Sequence, residues 1–359
     1  MSKNKLKLEK ICTFFNGRTK PNSKGRFPVY GGNGIISYIN HYNADNILVI
    51  GRVGAYCGNV FYSRNKCWVS DNAIGIILNE NVSNIKYIFY FLWKSNIRNL
   101  AIGSSQPLIT QDILKNIEID LPSLEEQKRI ADILTALDDK IELNNQMNQT
   151  LEEIASLLYK RWFVDFEFPD DKGNPYKSSG GEMVNSELGM IPKGWEVKEL
   201  GEVLEISSGN RPVQKSEEKT KENIFPIVGA SKIMGYTNNY ILDDTNEVLI
   251  IGRVGTLGII QEYREKIWVS DNTLIIKSNF QNYIKQYLSN VDFYSLNSGS
   301  TQPLITQTTI NKLLIVVPCN KVTDKFEKIE SSNVRIKFCN TYEIKKIQRL
   351  KLELLKELI

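Results

Sequence analysis

The chain repeats itself. IGRVGAYCGNV at 50–60 returns as IGRVGTLGII at 251–260, CWVSDNAIGII at 67–77 as IWVSDNTLIIK at 267–277, and GSSQPLIT at 103–110 as GSTQPLIT at 299–306. Weaker echoes precede these: LEKICTFFNGR (8–18) with LGEVLEISSGNR (200–211), and FPVYGG (27–32) with FPIVGA (225–230). The offset drifts only from about 192 to 201, so order and spacing are both kept. Solenoid repeats recur every roughly 20–50 residues. A period this long therefore means one domain duplicated.

Each copy reads as strand-rich, with β-branched and aromatic runs such as NILVIGRVG and EVLIIGRVG punctuated by Gly and Asn. One helix is expected in each, around Asn84–Ser95 and Gln281–Tyr294. Thr110 is placed to cap a short helical turn, QDILKN. A strand closes each copy, NIEIDLP at 116–122 and KLLIVVP at 312–318.

After each closing proline the apolar period changes from 2 to about 3.6. Ser123 and Glu126 form a capping box. Ile130, Leu134, Leu137, Ile141, Asn144, Asn148, Leu151, Ala155, Leu158 and Trp162 then follow at spacings of 3 or 4. Neither Gly nor Pro interrupts some 40 residues, a helix of roughly 60 Å. A second run gives Phe326, Ile329, Asn333, Ile336, Asn340, Ile344, Ile347, Leu354 and Leu358. A helix with a single apolar stripe must bury it, and two such helices most simply pair. Asn144, Asn148, Asn333 and Asn340 on the stripes read as polar positions that fix register, or as solvent-facing amides. The Gly/Ser/Pro/Asp-rich stretch FPDDKGNPYKSSGGEMVNSELGMIPKGW reads as a tether.

Charge alternates along the chain. Residues 1–120 hold 15 Lys and Arg against 7 Asp and Glu, whereas residues 121–191 hold 7 against 14. The first block is basic enough to suspect a polyanion. Basic residues mix with Tyr, Asn, Ser and Gln in RTKPNSKGR (18–26), NGIISY (33–38) and NRPVQKSEEKTKEN (210–223), types that hydrogen-bond phosphates and base edges.

Chemistry is hard to find. There is no G-x-x-x-x-G-K-[ST], no G-x-G-x-x-G opening a helix, no G-x-S-x-G and no Asn-Pro-Pro-aromatic run. With one histidine, His41, and five cysteines without C-x-x-C, zinc fingers, disulfide scaffolds and His-based triads drop out. The cysteines read as small core hydrophobes or free thiols. Pro169-Asp170 with Glu196-Val197-Lys198 formally imitates a metal-dependent nuclease, but Asp170 lies in the tether. The pairs Glu125–Glu126, Asp138–Asp139 and Glu152–Glu153 read as solvated helix faces. No apolar run reaches the roughly 18 residues that span a bilayer, and MSKNKLKLEK has no signal-peptide core. The expected location is the cytoplasm.

The chain resembles the specificity subunit of a type I restriction–modification system along essentially its whole length. LPSLEEQKRIADIL, LEEIASLLYKRWFVDFEFP (151–169) and IPKGWEVKELGEVLEISSGNRP (191–212) carry the resemblance most specifically. It implies an α+β fold, a pseudo-twofold tandem repeat of two β-rich α/β target-recognition domains, 1–121 and 192–318. Two long helices, 122–165 and 319–359, form an antiparallel coiled coil, and 166–191 is a linker. Each domain is expected to read one half of a bipartite duplex DNA target, with the coiled coil as the ruler between halves. Two modification subunits and the restriction subunits are the implied partners. They carry S-adenosylmethionine, ATP and magnesium, so this chain binds no cofactor and is not itself an enzyme. The opening P-x-G-W at Pro192–Trp195 has no counterpart before residue 8, which suggests a trimmed edge on the first domain.

If the half-sites differ, residues shared by both copies cannot be what tells them apart. Arg52, Arg253, Gln106 and Gln302 are then scaffold or common phosphate contacts. Readout is expected from the divergent loops: Arg18, Lys20, Asn22, Lys24, Arg26, Asn33, Ser37 and Tyr38 in the first copy. In the second it is expected from Asn210, Arg211, Gln214, Lys215, Ser231 and Lys232. Trp162, Phe163 and Phe166 are candidates for subunit docking, or close the helix against the second domain. The rival readings are a nuclease using Asp170, Glu196 and Lys198, and a duplicated module for a ligand other than DNA.

Overall fold

The computed structural model describes residues 5–103, 106–243, 248–299 and 301–359. It divides into two compact units, Met1–Asn145 with Thr341–Ile359, and Gln146–Asn340. Each unit therefore holds one β-rich domain, the start of the helix that follows it and the end of the other long helix.

The first domain contains β1 (Lys5–Lys7), β2 (Cys12–Asn16), β3 (Phe27–Gly31), β4 (Gly34–Ile39), β5 (Ile47–Gly51), β6 (Val60–Ser63), β7 (Trp68–Val69), β8 (Ala73–Leu78), α1 (Ile85–Lys94), α2 (Gln111–Lys115) and β9 (Glu118–Asp120). One sheet has the order β2-β8-β5-β6 and a smaller one β4-β3-β7. The apolar run of β5 is unbroken because both faces of the sheet are covered. Successive side chains point to opposite faces: Leu48 and Ile50 enter a core with Ile74, Ile76 and Ile88, while Ile47 and Val49 enter a smaller one with Tyr30, Cys67 and Val69. Asn84 caps α1, accepting from Tyr87 N, and Thr110 caps α2, accepting from Ile113 N.

The second domain follows the same plan after an added hairpin, β10 (Met183–Ser186) and β11 (Gly189–Pro192). Its elements are β12 (Glu196–Glu199), β13 (Glu205–Ser208), β14 (Phe225–Val228), β15 (Ile233–Thr237), β16 (Val248–Gly252), β17 (Ile260–Tyr263), β18 (Trp268–Val269), β19 (Thr273–Lys277), α4 (Gln281–Ser289), α5 (Gln307–Asn311) and β20 (Leu314–Val317). The sheet orders are β13-β19-β16-β17 and β15-β14-β18, matching the first domain strand for strand. The match reaches residues outside the repeated motifs. Phe27 meets Tyr42 edge-on at 5.2 Å with Lys66 over the tyrosine ring, and Phe225 meets Tyr240 at 5.0 Å with Lys266 over it.

The edge strand is paired in both copies. β1 pairs with β9, Lys5 opposite Asp120, as β12 pairs with β20, Glu196 opposite Val317. The stretch 166–191 is no free tether. Phe168 is buried, stacked on Trp195 at 4.9 Å and on Tyr176 at 4.6 Å, and Ile191 joins the same core.

The long helices are α3 (Leu124–Tyr159), which widens into a π turn at Lys160–Val164, and α6 (Asn320–Leu358). Ser123 Oγ accepts from Glu126 N at 3.3 Å, while the Glu126 carboxylate pairs with Arg129. In the first unit the two helices run antiparallel: Asp138 meets Lys351 at 2.6 Å and Asn144 meets Glu343 at 2.9 Å. In the second unit they do so again, through Asn148–Asn340 and Glu152–Lys337.

Two expectations for the helices need correcting. Ile329 and Ile336 face outward, 41% and 42% exposed, and the buried positions beside Phe326 are Glu330 and Val334. Glu330 is accommodated inside by a hydrogen bond from Asn333 and by two lysines near it, Lys337 of the same helix and Lys285 of α4. Asp138 and Glu152 are likewise not solvated faces: Asp138 accepts from Tyr90 Oη at 2.8 Å and from Lys351, and Glu152 binds Lys285 and Lys337.

Candidate nucleic-acid interface

The three repeated motifs converge on one structure in each domain. Arg52 N donates to Asn72 O at 2.9 Å, and its carbonyl accepts from Ile109 N at 2.9 Å. Arg253 repeats this with Asn272 at 3.0 Å and Ile305 at 2.9 Å. Gly54 N donates to Pro107 O and Gly255 N to Pro303 O, both at 3.0 Å. Gly54 and Gly255 sit at φ +78° and +75°, the left-handed region that favours glycine. The R-V-G, S-D-N and Q-P-L-I-T motifs are thus one backbone assembly. The side chains of Arg52 and Arg253 are half-buried beside it, with Arg253 Nη1 donating to Ser208 Oγ at 3.0 Å. Gln106 and Gln302 are exposed at its edge.

From this assembly the divergent loops depart at fixed points. Trp68 Nε1 donates to Arg18 O at 2.9 Å, and Trp268 Nε1 to Asn210 O at 2.7 Å. Just before them, a Cβ on Gly17 would lie 1.9 Å from Ser70 O, and one on Gly209 2.2 Å from Ser270 O. Only glycine lets the strand pass this close.

Each loop then folds against the hairpin of the smaller sheet. In the first domain Arg18, Lys20, Asn22, Lys24 and Arg26 are exposed, Gly25 N donates to Tyr38 O, and Lys20 Nζ lies 3.4 Å from Ser37 Oγ. Asn33 and Tyr38 are exposed on that hairpin. In the second, Ser216 and Tyr236 exchange two backbone hydrogen bonds at 2.8 Å, and Gln214 Oε1 accepts from Asn238 Nδ2 at 3.0 Å. Asn210, Arg211, Lys215, Ser231 and Lys232 are exposed around them. Loop and hairpin residues expected to act together are brought together in both domains.

The two surfaces differ in charge. Residues 18–26 carry four basic side chains and no acid, whereas 210–223 set four basic side chains against Glu217, Glu218 and Glu222. Arg211 is also engaged, its Nε 2.6 Å from Asp271 Oδ2. The equivalent Asp71 instead accepts from Thr19 Oγ1 at 3.3 Å.

The aromatic residues expected to dock a partner are inside the second unit. Trp162 and Phe163 are buried, Phe163 meeting Phe326 edge-on at 5.0 Å and Tyr283 at 4.6 Å. Phe166 is half-buried against Trp195 at 5.8 Å. They close the end of α3 against the second domain and form no docking patch. What the sequence reading missed is a second apolar stripe, exposed on the same stretch: Met147, Ile154, Leu157 and Val164, the last three 46%, 66% and 53% exposed. Their spacing of 7, 3 and 7 was the available signal.

The nuclease-like residues are otherwise engaged. Asp170 Oδ1 accepts from Lys172 N and Asn174 N, both at 2.8 Å, and Glu196 pairs with Lys198 on β12. Among the described residues no three His, Cys, Asp or Glu side chains form a metal cluster, and no helix is long and apolar enough to cross a membrane. Burial pushes the Cys12 thiol up to about 12, consistent with an inert core residue.

Comparison with known proteins agrees with this duplication. Residues 2–153 and 192–326 match the family described as Type I restriction modification DNA specificity domain. The chain is 29% identical over 304 residues to the Type I restriction enzyme MjaIX specificity subunit of Methanocaldococcus jannaschii, covering 76% of this chain and 67% of that one. It is 25% identical over 328 residues to the HindI specificity subunit of Haemophilus influenzae, covering 70% of each. A crystal structure of the S subunit of a type-I restriction-modification system from M. genitalium shares the fold, with TM-score 0.70 at 17% identity over 99% of this chain and 96% of that one.

Proposed function

Because the chain belongs to the type I restriction modification DNA specificity family, we propose that each of its two domains reads one half of a bipartite duplex target. The observation that carries this is the pairing of opposites in each domain. One backbone assembly, the same in both copies, holds out a loop and a hairpin that differ between copies. Shared residues can bind what is common to any duplex, the phosphates, and divergent ones can read base edges. On this reading Arg52, Arg253, Gln106 and Gln302 are backbone contacts, and residues 18–26, 33–38, 210–223 and 231–236 supply readout. The paired long helices set the spacer between the half-sites.

The chain supplies recognition, and partner subunits supply the chemistry. S-adenosylmethionine, ATP and magnesium belong to two modification subunits and to the restriction subunits. The modification subunits dock on the exposed stripe Met147, Ile154, Leu157 and Val164, because such a stripe on a well-formed helix marks an interaction site. Leu157→Glu is expected to leave the chain folded and to abolish co-purification with the modification subunit. Undiminished co-purification would place docking elsewhere.

Exchanging residues 8–121 for another family member's domain tests the recognition reading. One half of the methylated sequence should change and the other should stay. A change in both halves would refute the two-domain division.

A further inference from the structure

Both hairpins carry a β-bulge at the same place. In the first, Val29 pairs with Ser37 and Tyr30 with Ile35, which leaves Ile36 as the extra residue. In the second, Ile227 pairs with Gly235 and Val228 with Ile233, which leaves Met234. A bulge re-aims one side chain and is a built feature of a sheet. Here the re-aimed side chain is apolar and solvent-facing in both copies, Ile36 54% and Met234 40% exposed.

Each is also seated on a glycine. A Cβ on Gly31 would lie 3.1 Å from Ile36 Cγ2, and one on Gly229 2.5 Å from Met234 Cγ and Sδ. The bulged side chain is therefore laid over bare backbone and fixed in direction. Lysines adjoin it in both copies: Lys20 Nζ lies 3.4 Å from Ser37 Oγ next to Ile36, and Lys215 Cε would lie 3.1 Å from a Cβ on Gly235 next to Met234. An apolar tip with a lysine beside it suits a polyanion that displays isolated apolar groups. In the major groove of DNA that group is the C5-methyl of thymine.

We propose that Ile36 and Met234 are the apolar base readers of the two domains, each packing against a thymine methyl in its own half-site. This rests on the DNA-recognition reading above and deepens it. The frame of the reader is shared, while the side chain differs between copies, so it can contribute to telling the half-sites apart.

The test uses the complex of the full chain with its modification subunits, on duplexes carrying the motif that the complex methylates. Each thymine of the motif is replaced singly by uracil, which removes only the methyl group. One position in the first half-site should weaken wild-type binding about fourfold, the value of burying one methyl group, and should leave Ile36→Ser unaffected. Ile36→Val, still apolar, should keep the sensitivity and reports that the hairpin is intact. Met234→Ser should lose sensitivity in the second half-site only. A half-site with no thymine on either strand, or equal sensitivity of wild type and variants at every position, overturns this proposal alone. A complex that binds its motif no better than random duplex overturns the DNA-recognition reading as well.

Discussion

Asn340 Nδ2 donates to Asn148 Oδ1 at 2.9 Å, so two amides, one from each long helix, face each other inside the second unit. Paired amides cost stability relative to leucines but favour one register, because a slip breaks the hydrogen bond between them. Asn340→Leu should lower stability by about 1–3 kcal/mol, the penalty of stranding one polar partner. Asn148→Leu with Asn340→Leu should recover that loss in thermal melts and loosen the spacing of methylated sites. A double variant no more stable than Asn340→Leu alone would show that the pair is not coupled.

Lys285 bridges Glu262 at 2.8 Å and Glu152 at 3.1 Å, and Lys337 approaches the same two carboxylates. Both lysine side chains are only 12% exposed. Removing one partner of a buried pair leaves a charge uncompensated and typically costs about 3–5 kcal/mol, whereas an apolar replacement of both is often neutral. Lys285→Met should therefore be strongly destabilising, and Lys285→Met with Glu262→Met should regain most of the loss in denaturant melts. Equal losses in the two would refute a coupled network.

Glu330 lies 3% exposed in α6, accepting from Asn333 Nδ2 at 3.0 Å, with Lys337, Lys285 and Glu152 around it. Burial holds its carboxyl above the ordinary 4.5, against the pull of Asn333 and the two lysines. Folded Glu330 binds its proton more tightly than unfolded, so its contribution is best at low pH and falls as pH rises through the raised value. Glu330→Gln should be more stable than wild type at pH 7, with the advantage gone below about pH 4. Melts across that range decide it, and a variant less stable at pH 7 would contradict the sign.

Four residues inserted into α3 near Asn144 add about 6 Å of helix and one turn with about 40° to spare. If the long helices set the spacer, the insertion should shift it by about one or two base pairs and leave both half-site sequences intact. Sequencing of methylated sites reads both. Full activity with an unchanged spacer would remove the helices from that role.

Much of this was legible in the sequence because it is local or repeated. The duplication, the Asn84–Ser95 helix, the Thr110 cap and the two long helices each leave a mark within a few residues. What was not legible depends on distant partners. Periodicity placed Ile329 and Ile336 inside because apolar spacing alone cannot choose between two offset stripes, and the buried Glu330 has beside it Lys285, which is 45 residues away in the chain. Glycine and proline in 166–191 suggested a tether, while the stacking of Phe168 on Trp195 fastens that segment down. The bulges at Ile36 and Met234 need both strands of a hairpin to be seen.

The indole bonds from Trp68 to Arg18 and from Trp268 to Asn210 have a consequence for how such a protein diversifies. They pin each loop at its entrance through a main-chain carbonyl, which every residue possesses, so the pin survives any change in the side chains beyond it. The residues from there to the next strand then behave as a replaceable cassette. A recombination event that swaps this stretch inherits a ready-made mounting, and a new preference can arise in one step without disturbing the cores beneath it.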